Sequence, residues 1–143
     1  MSDQFTYCTF RVDQLHLAVE VTHVQEVIRE QPMTRVPCAP PVVRGVMNLR
    51  GQIVTALDLR QRIGLPEPEV SGSMMNVVIR TSEGPVSLLV DEICDVLRVD
   101  PSRFEPVPET LQGVSRELIC GTYKLDDRLL LLLNVESTLS FSA

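Results

Sequence analysis

Hydrophobic and polar residues alternate along many short stretches of this chain, which is the pattern of half-buried β-strands. Cys8, Phe10 and Val12, for example, share one face of a stretch whose other face carries Thr9 and Arg11. Short polar turns separate such stretches. The pattern predicts a mostly β chain with extended segments at Phe5–Val12, Leu15–Val19, Val27–Glu30, Val43–Leu49, Gln52–Leu57, Asn76–Arg80, Pro85–Val90, within Asp91–Val99, Ile119–Leu125 and Arg128–Leu133.

Two short amphipathic helices are predicted, each directly after a residue that favours the helix N-cap. Leu59–Ile63 follows Asp58, and Val135–Leu139 follows Asn134. Thr22 is expected to cap one further helical turn before the third strand.

Turns and connectors divide the chain into units. The dipeptide Arg50-Gly51 predicts a hairpin turn in which the glycine supplies an unusual φ angle. The polar stretches Glu67–Ser73 and Asp100–Leu118 are expected to be connectors, because both contain prolines that interrupt regular structure.

The second half of the chain repeats the pattern of the first. An offset of 69 residues places Phe10 on Ile79, and after the first proline-rich connector an offset of 76 places Gly45 on Gly121. The same second offset places the helix cap Asp58 on Asn134. An internal duplication is therefore expected, with about five strands and one short helix in each unit.

A five-stranded unit has unpaired edges unless it closes, so a small barrel is the expected form of each repeat. A unit of about 60–70 residues is marginally stable alone. The two units are therefore expected to pack on each other, with a groove between them as the default place for a peptide or ligand.

Composition excludes several classes of function. The chain has 143 residues and a formal net charge of −6, so it lacks the positive field that gathers nucleic acid. Its longest apolar run, Leu129–Leu133, is far shorter than the roughly 20 residues of a membrane helix. The first residues lack the basic and apolar regions of a signal peptide, which predicts a cytoplasmic protein without direct membrane insertion.

The sequence carries no catalytic motif, so we expect a protein that is not an enzyme and needs no cofactor or metal. A rival hypothesis takes the chain as a small-molecule or metal-binding barrel pair with Cys38 and Cys120 as ligands. Asp91, Glu92 and Asp95 form an acidic cluster that is expected to be a solvated face.

Surface recognition is the remaining class of function. Arg50 lies at a hairpin turn, where it cannot easily be buried, and Glu26 lies between the apolar residues Val24 and Val27. An acid among aliphatic side chains is a plausible patch for binding a partner protein, and arginine is enriched at protein interfaces.

Four segments carry a family resemblance. The sequence RGVMNLRGQIV at 44–54, followed by LDLR at 57–60, resembles the central signature of the CheW coupling proteins of bacterial chemotaxis. VQEV at 24–27, VDEICDVL at 90–97 and LLLLLNVE at 129–136 resemble further family segments. The segments occur in the family's order over nearly the whole chain.

This resemblance implies a fold. It implies a single CheW-like domain over 1–143, mostly β, made of two packed five-stranded SH3-like β-barrels with short helices. The two barrel-like units are expected at about residues 5–66 and 73–139, and exchange of strands between them is left open.

The resemblance also implies a function, that of a non-catalytic scaffold. Such a scaffold couples the cytoplasmic signalling tips of methyl-accepting chemoreceptors to the regulatory domain of a CheA-type histidine kinase, and so associates with membrane receptor arrays through its partners. By motif match, Val24, Glu26, Gly45 and Arg50 are the receptor-binding candidates. A paralogous adaptor of a pilus or twitching-type system, or a stand-alone kinase regulatory domain, remains an alternative.

Overall fold

The strands and helices of this protein are short, as the alternation predicts. The structure, a computed structural model, describes residues 5–65, 73–108 and 116–139. In these ranges the elements are β1 Thr6–Val12, β2 Leu15–Glu20, β3 Val24–Arg29, β4 Val43–Leu49, β5 Gln52–Asp58, α1 Leu59–Ile63, β6 Met75–Ile79, β7 Val86–Val90, β8 Glu92–Arg98, β9 Phe104–Glu105, β10 Ile119–Lys124, β11 Leu129–Leu133 and α2 Val135–Leu139. The predicted connector Glu67–Ser73 lies outside the described residues except for Ser73, as does part of the connector Asp100–Leu118.

The strands form two sheets, and each sheet takes strands from both halves of the sequence. The six-stranded sheet has the order β8-β1-β2-β11-β10-β9, and the five-stranded sheet has the order β3-β6-β7-β5-β4. The hairpin β1-β2 thus joins strands of the second half, and the hairpin β6-β7 joins strands of the first half. The sheets therefore do not coincide with sequence units at 5–66 and 73–139.

Strand pairing repeats at the two offsets expected from the sequence. Phe10 pairs with Leu17 as Ile79 pairs with Val86. In the parallel pairs, Leu131 lies opposite Leu17 and Thr55 lies opposite Val86. The register shifts repeat as well, between Val43 and Gly45 in one pair of strands and between Ile119 and Gly121 in the other. One pattern of pairing is thus built twice, with the paired hairpin exchanged between the sheets.

Two details differ from the predicted pair of five-stranded barrels. One sheet has six strands, because β9 arises within a connector and pairs Phe104 and Glu105 with β10. In the described ranges the edge strands of each sheet are not joined by a backbone ladder. The observed architecture is therefore two sheets of six and five strands with few short helices, and closure of the sheets into barrels stays a prediction.

The largest hydrophobic core takes buried residues from both sheets. Phe10 and Leu17 of the six-stranded sheet and Leu57 and Leu88 of the five-stranded sheet are almost fully buried in it. A smaller cluster around Tyr123 belongs to the six-stranded sheet, and a third cluster of Met47, Val54 and Val78 belongs to the five-stranded sheet.

Both predicted helix caps are present, whereas the short helical turn expected at Thr22 is present without the predicted Thr22 cap and ends at His23. Asp58 accepts a hydrogen bond from the Gln61 amide, and Asn134 accepts one from the Ser137 amide. Thr22 lies inside a 3-10 turn that has no side-chain cap, and β3 begins at Val24, three residues earlier than expected. Val24 packs against the central core, and this tertiary contact outweighs the local capping preference.

A charged network joins α1 to the six-stranded sheet. Arg60 of α1, whose side chain is only 7% exposed, places Nη2 2.7 Å from Asp91 Oδ2 and Nη1 3.3 Å from Asp13 Oδ1. The Asp13 amide also donates to Asp91 Oδ2, at 2.7 Å. Asp91 is therefore mostly buried and paired, and the expectation that it lies on a solvated face is wrong.

Candidate functional site

Two of the four sequence candidates, Glu26 and Arg50, form a bidentate ion pair. Arg50 Nη1 lies 2.6 Å from Glu26 Oε2, and Arg50 Nη2 lies 2.5 Å from Glu26 Oε1. Glu26 is on the edge strand β3, and Arg50 is in the turn between β4 and β5. The ion pair thus links the edge strand β3 to the hairpin that carries the opposite edge strand, β4. These two strands are not hydrogen-bonded neighbours in the sheet.

The backbone of the β4-β5 hairpin positions Arg50. Arg50 and Gly51 have φ angles of 54° and 85°, which is the conformation of a two-residue type I′ turn. The Asn48 side-chain carbonyl accepts a hydrogen bond from the Gly51 amide at 2.8 Å. The predicted turn is confirmed, and it holds the Arg50 side chain 72% exposed.

The Glu26 side chain is more buried than that of its partner Arg50. Glu26 follows a register shift in the pairing of β3 with β6, and its side chain is 16% exposed. The hydrogen bonds from Arg50 lower the pKa of the Glu26 carboxyl, and the same bonds raise the pKa of Arg50. Both groups are therefore ionised at neutral pH, with the carboxylate oriented by a guanidinium that faces solvent.

Gly45 and Val24, the other two candidates, are enclosed by neighbouring parts of the chain. A Cβ atom on Gly45 would lie 2.6 Å from the Thr34 carbonyl oxygen. Thr34 and Val46 exchange two backbone hydrogen bonds of 2.8 Å beside it, so the glycine allows the connector to pair with β4. Val24 is half-buried against the central core. Neither residue projects a side chain freely into solvent.

Sequence reasoning named Val27 as an aliphatic neighbour of Glu26 but missed Ile53, a second exposed aliphatic residue near the ion pair in sequence. Val27 directly follows Glu26 and is 41% exposed, and Ile53 follows the Arg50-Gly51 turn and is 63% exposed. The signal was present in the alternation, because Val54 is buried and Ile53 must point to the opposite face of β5. We call Glu26, Val27, Arg50 and Ile53 the candidate surface.

Other kinds of site find little support in the described part of the chain. In residues 5–65, 73–108 and 116–139, no three His, Cys, Asp or Glu side chains are grouped so as to hold a metal ion. Cys38 and Cys120 are both exposed. No helix in the same ranges has the length and apolar character needed to cross a membrane.

The repeated pairing and the exchanged hairpins define the class of protein, a two-sheet β protein with an internal repeat. The chain belongs to a particular family within that class. The model of the CheW-like domain matches residues 6–142, which confirms the resemblance expected from the four sequence segments.

Three curated relatives agree with this assignment. The chemotaxis protein CheW of Bacillus subtilis is 35% identical over 130 residues, covering 91% of this chain and 83% of the relative. The chemotaxis protein CheW of Helicobacter pylori is 30% identical, covering 91% of this chain and 78% of the relative. Protein FrzA of Myxococcus xanthus is 27% identical over 106 residues, covering 74% of this chain and 66% of that protein.

A solved structure shares the fold. The crystal structure of the scaffolding protein TtCheW from Thermoanaerobacter tengcongensis superposes with a TM-score of 0.85 at 22% identity. The match covers 95% of this chain and 88% of that one.

Proposed function

We propose that this protein is a cytoplasmic, non-catalytic scaffold that couples the signalling tip of a chemoreceptor to the regulatory domain of a CheA-type histidine kinase. Membership of the CheW-like family supports this proposal, together with relatives described as chemotaxis proteins and a structural neighbour described as a scaffolding protein. The protein acts by holding two partners in a fixed geometry, which requires separate surfaces for each.

The Glu26–Arg50 ion pair is the main support for placing receptor binding on the candidate surface. A helical receptor tip offers aliphatic and charged side chains on neighbouring turns, and such helices dock through apolar contacts with a polar rim. Val27 and Ile53 supply exposed aliphatic area, and the ion pair supplies oriented charge. Gly45 supports this surface by letting the connector pair with β4, and Val24 supports it by packing against the central core.

The six-stranded sheet offers a second aliphatic surface for the kinase domain. Val96 is 61% exposed, and Leu129 is also exposed. At the repeat offsets of 69 and 76 these residues are the equivalents of Val27 and Ile53. The repeat therefore presents two apolar surfaces with different charged neighbours, as a protein that binds two different partners needs.

A charge-swap experiment tests the receptor surface. Glu26→Arg and Arg50→Glu, alone and together, are measured by calorimetric titration with a receptor-tip fragment. Each single variant places like charges together and is expected to weaken binding about tenfold or more. The double variant restores an ion pair, so recovered affinity would show that the pair positions the surface. Affinity that stays low would show that the charges themselves meet the receptor.

A matched control is the exposed pair of Arg103 and Asp126, whose Nη2 and Oδ1 atoms are 2.9 Å apart. Its charge swap is expected to leave receptor affinity unchanged. Equal losses at both pairs would contradict the assignment of receptor binding to the candidate surface.

One second candidate function within the same CheW-like family is that of a paralogous adaptor of a pilus or twitching-type system. Separate binding assays against a receptor tip, a kinase regulatory domain and a coupling protein distinguish an adaptor of either system from the stand-alone regulatory domain that the sequence also allows. A coupling adaptor binds the first two, whereas a stand-alone regulatory domain binds the coupling protein.

A further inference from the structure

A cavity of about 500 Å³ lies between the proline-rich connector that precedes β4, the start of β4 and α1. Its polar lining residues are Arg35 of the connector, Arg44 of β4 and Gln61 of α1. None of the described residues that line it is acidic, although the whole chain has a net charge of −6. We call it the β4 cavity, and its remaining lining residues are the apolar Met33, Val36, Ala39, Pro40, Pro41 and Val43.

Backbone contacts hold the connector against β4 and so fix the walls of the β4 cavity. Thr34 and Val46 exchange two backbone hydrogen bonds of 2.8 Å, so Arg35 directly follows an anchored residue. At the other end of the connector, the Val43 amide donates to the Pro40 carbonyl at 2.9 Å. The proline ring also fixes the φ angle of Pro40. A wall of restrained backbone needs little further ordering when a ligand binds.

The two arginine side chains at the β4 cavity keep donors that the protein itself does not use. Arg44 Nη1 donates to Asp58 Oδ2 at 3.2 Å, and the Arg44 side chain stays 44% exposed. The other oxygen of Asp58 accepts from the Gln61 amide. Arg35 is exposed and makes no hydrogen bond or ion pair with the described part of the chain. Once the Asp58 carboxylate is set against Arg44, one positive charge is left, that of Arg35.

The second repeat carries the opposite charge at the positions that match. Residues 33–37 correspond to 104–108 at an offset of 71, because Thr34 pairs with Val46 as Glu105 pairs with Thr122. The acid Glu105 is thus the equivalent of the uncharged Thr34. The charged residues of the β4 cavity and its rim have uncharged equivalents, which are Pro106 for Arg35, Cys120 for Arg44 and Asn134 for Asp58. A positively charged cavity is therefore not a requirement of the fold.

We propose that the β4 cavity binds a glutamate side chain of a partner protein. The planar guanidinium groups of Arg35 and Arg44 can each donate to a carboxylate, and the Gln61 side-chain amide can supply a further donor. The apolar wall receives the aliphatic stem of the glutamate. A singly charged carboxylate also matches the one positive charge that Asp58 does not offset.

The β4 cavity is separate from the candidate surface, because none of the four residues of that surface lines it. The proposed contact therefore adds to the receptor and kinase contacts and does not depend on either of them. Its test uses the chain alone with small probes, so a failure here would leave the proposed function standing.

NMR titration of the full-length chain with N-acetyl-glutamate-N-methylamide tests the proposal. Saturable shifts are expected at the backbone amides of residues 34–36 and 43–46 and at the Nε–H groups of Arg35 and Arg44, with a dissociation constant in the millimolar range. N-acetyl-glutamine-N-methylamide has the same shape without the charge, and it is expected to bind at least several-fold more weakly. Inorganic phosphate is expected to bind more weakly as well. Tighter binding of phosphate would assign the cavity to a phosphate group and overturn the proposal.

Single substitutions show whether the two arginine side chains hold the probe. Arg35→Gln removes the unpaired cation without breaking an ion pair, and it is expected to weaken binding several-fold. Arg44→Lys keeps a charge beside Asp58 but loses the planar fork, so it is also expected to weaken binding. Arg29→Gln, at an exposed position of β3 that does not line the cavity, is the matched control and is expected to leave binding unchanged. Absence of saturable shifts, equal binding of the glutamine probe, or unchanged binding by Arg35→Gln would overturn the proposal.

Discussion

The two repeats share their strand pairing but differ in the charges at their edges. In the five-stranded sheet, Glu26 and Arg50 form a bidentate ion pair. At the repeat offsets their equivalents in the six-stranded sheet are Asp95 and Asp126, two acids that cannot pair with each other. Asp126 instead contacts Arg103, with Nη2 and Oδ1 2.9 Å apart.

This difference shows that the fold depends on the buried apolar residues, whereas the charge of each surface depends on other residues. The equivalent apolar positions are buried in both repeats, and even the exposed aliphatic residues recur, with Val96 matching Val27. Several charged positions do not recur, among them Arg50, which aligns with Asp126, and Arg60, which aligns with Glu136. A duplicated fold with unlike charges gives one small chain two surfaces of similar strand pairing and different charge.

Arg60 and Glu136 hold equivalent positions in the two repeats, and substituting them is expected to give the largest difference in the free energy of unfolding. Arg60→Met leaves Asp91 mostly buried without its closest cation, so we expect the free energy of unfolding to fall by about 3–5 kcal/mol. Chemical denaturation measures this loss. The equivalent change Glu136→Gln lies on an exposed residue and is expected to shift the free energy of unfolding by less than about 0.5 kcal/mol. Equal effects at both positions would contradict the asymmetry.

Gly45 and Gly121 are equivalent glycines with different obstacles. A Cβ at Gly45 would meet the Thr34 backbone at 2.6 Å, whereas a Cβ at Gly121 would meet the ring of the exposed Phe104 at 2.3 Å. A ring can rotate away more easily than a paired backbone can move. We therefore expect Gly45→Ala to cost about 2–3 kcal/mol of unfolding free energy and Gly121→Ala about 1 kcal/mol. Thermal and chemical denaturation of both variants would reveal a reversed order if the explanation is wrong.

Arg50 and Arg103 compare the charged partners of the two sheets. Arg50→Ala is expected to weaken binding of a receptor-tip fragment about tenfold with little change in folding, because Arg50 faces solvent. Arg103→Ala is expected to leave that affinity unchanged. Surface plasmon resonance measures both affinities, and a loss confined to Arg103→Ala would move the receptor surface to the six-stranded sheet.

The contribution of Glu26 to stability is expected to depend on pH, and this is the weakest of the four effects. Arg50 lowers the pKa of the Glu26 carboxyl in the folded state. The pair therefore stabilises the fold above the ordinary glutamate pKa of about 4.3, and this contribution disappears as the pH falls through the lowered value. The stability difference between the parent chain and Glu26→Gln is expected to shrink between pH 7 and pH 3. A difference that grows in acid would contradict the sign of the shift.

Local sequence signals predicted much of the fold. Alternation located most strands, Asp58 and Asn134 capped the predicted helices, and Arg50-Gly51 formed the predicted turn. The assignment of strands to sheets was not available from these signals, because pairing of β1-β2 with β8 and β11 joins residues far apart in sequence. The short strand β9 depends on pairing with β10 and has no alternation of its own.

The candidate surface was predicted only in part. Glu26 and Arg50 were chosen separately, and their contact depends on how the edges of the five-stranded sheet approach each other. Ile53 was not singled out, although alternation with the buried Val54 places it on the opposite, exposed face of β5. The burial of Asp91 had no local signal, since its partner Arg60 lies 31 residues away.

We propose that one chain holds a receptor tip and a kinase regulatory domain at the same time, on different sheets. Analytical ultracentrifugation of the chain with a receptor-tip fragment and a CheA-type regulatory domain tests it most directly. A three-component complex is predicted, from which Arg50→Ala selectively releases the receptor fragment while the kinase domain stays bound. Competition between the two partners for the chain, or loss of both partners in the variant, would contradict the account.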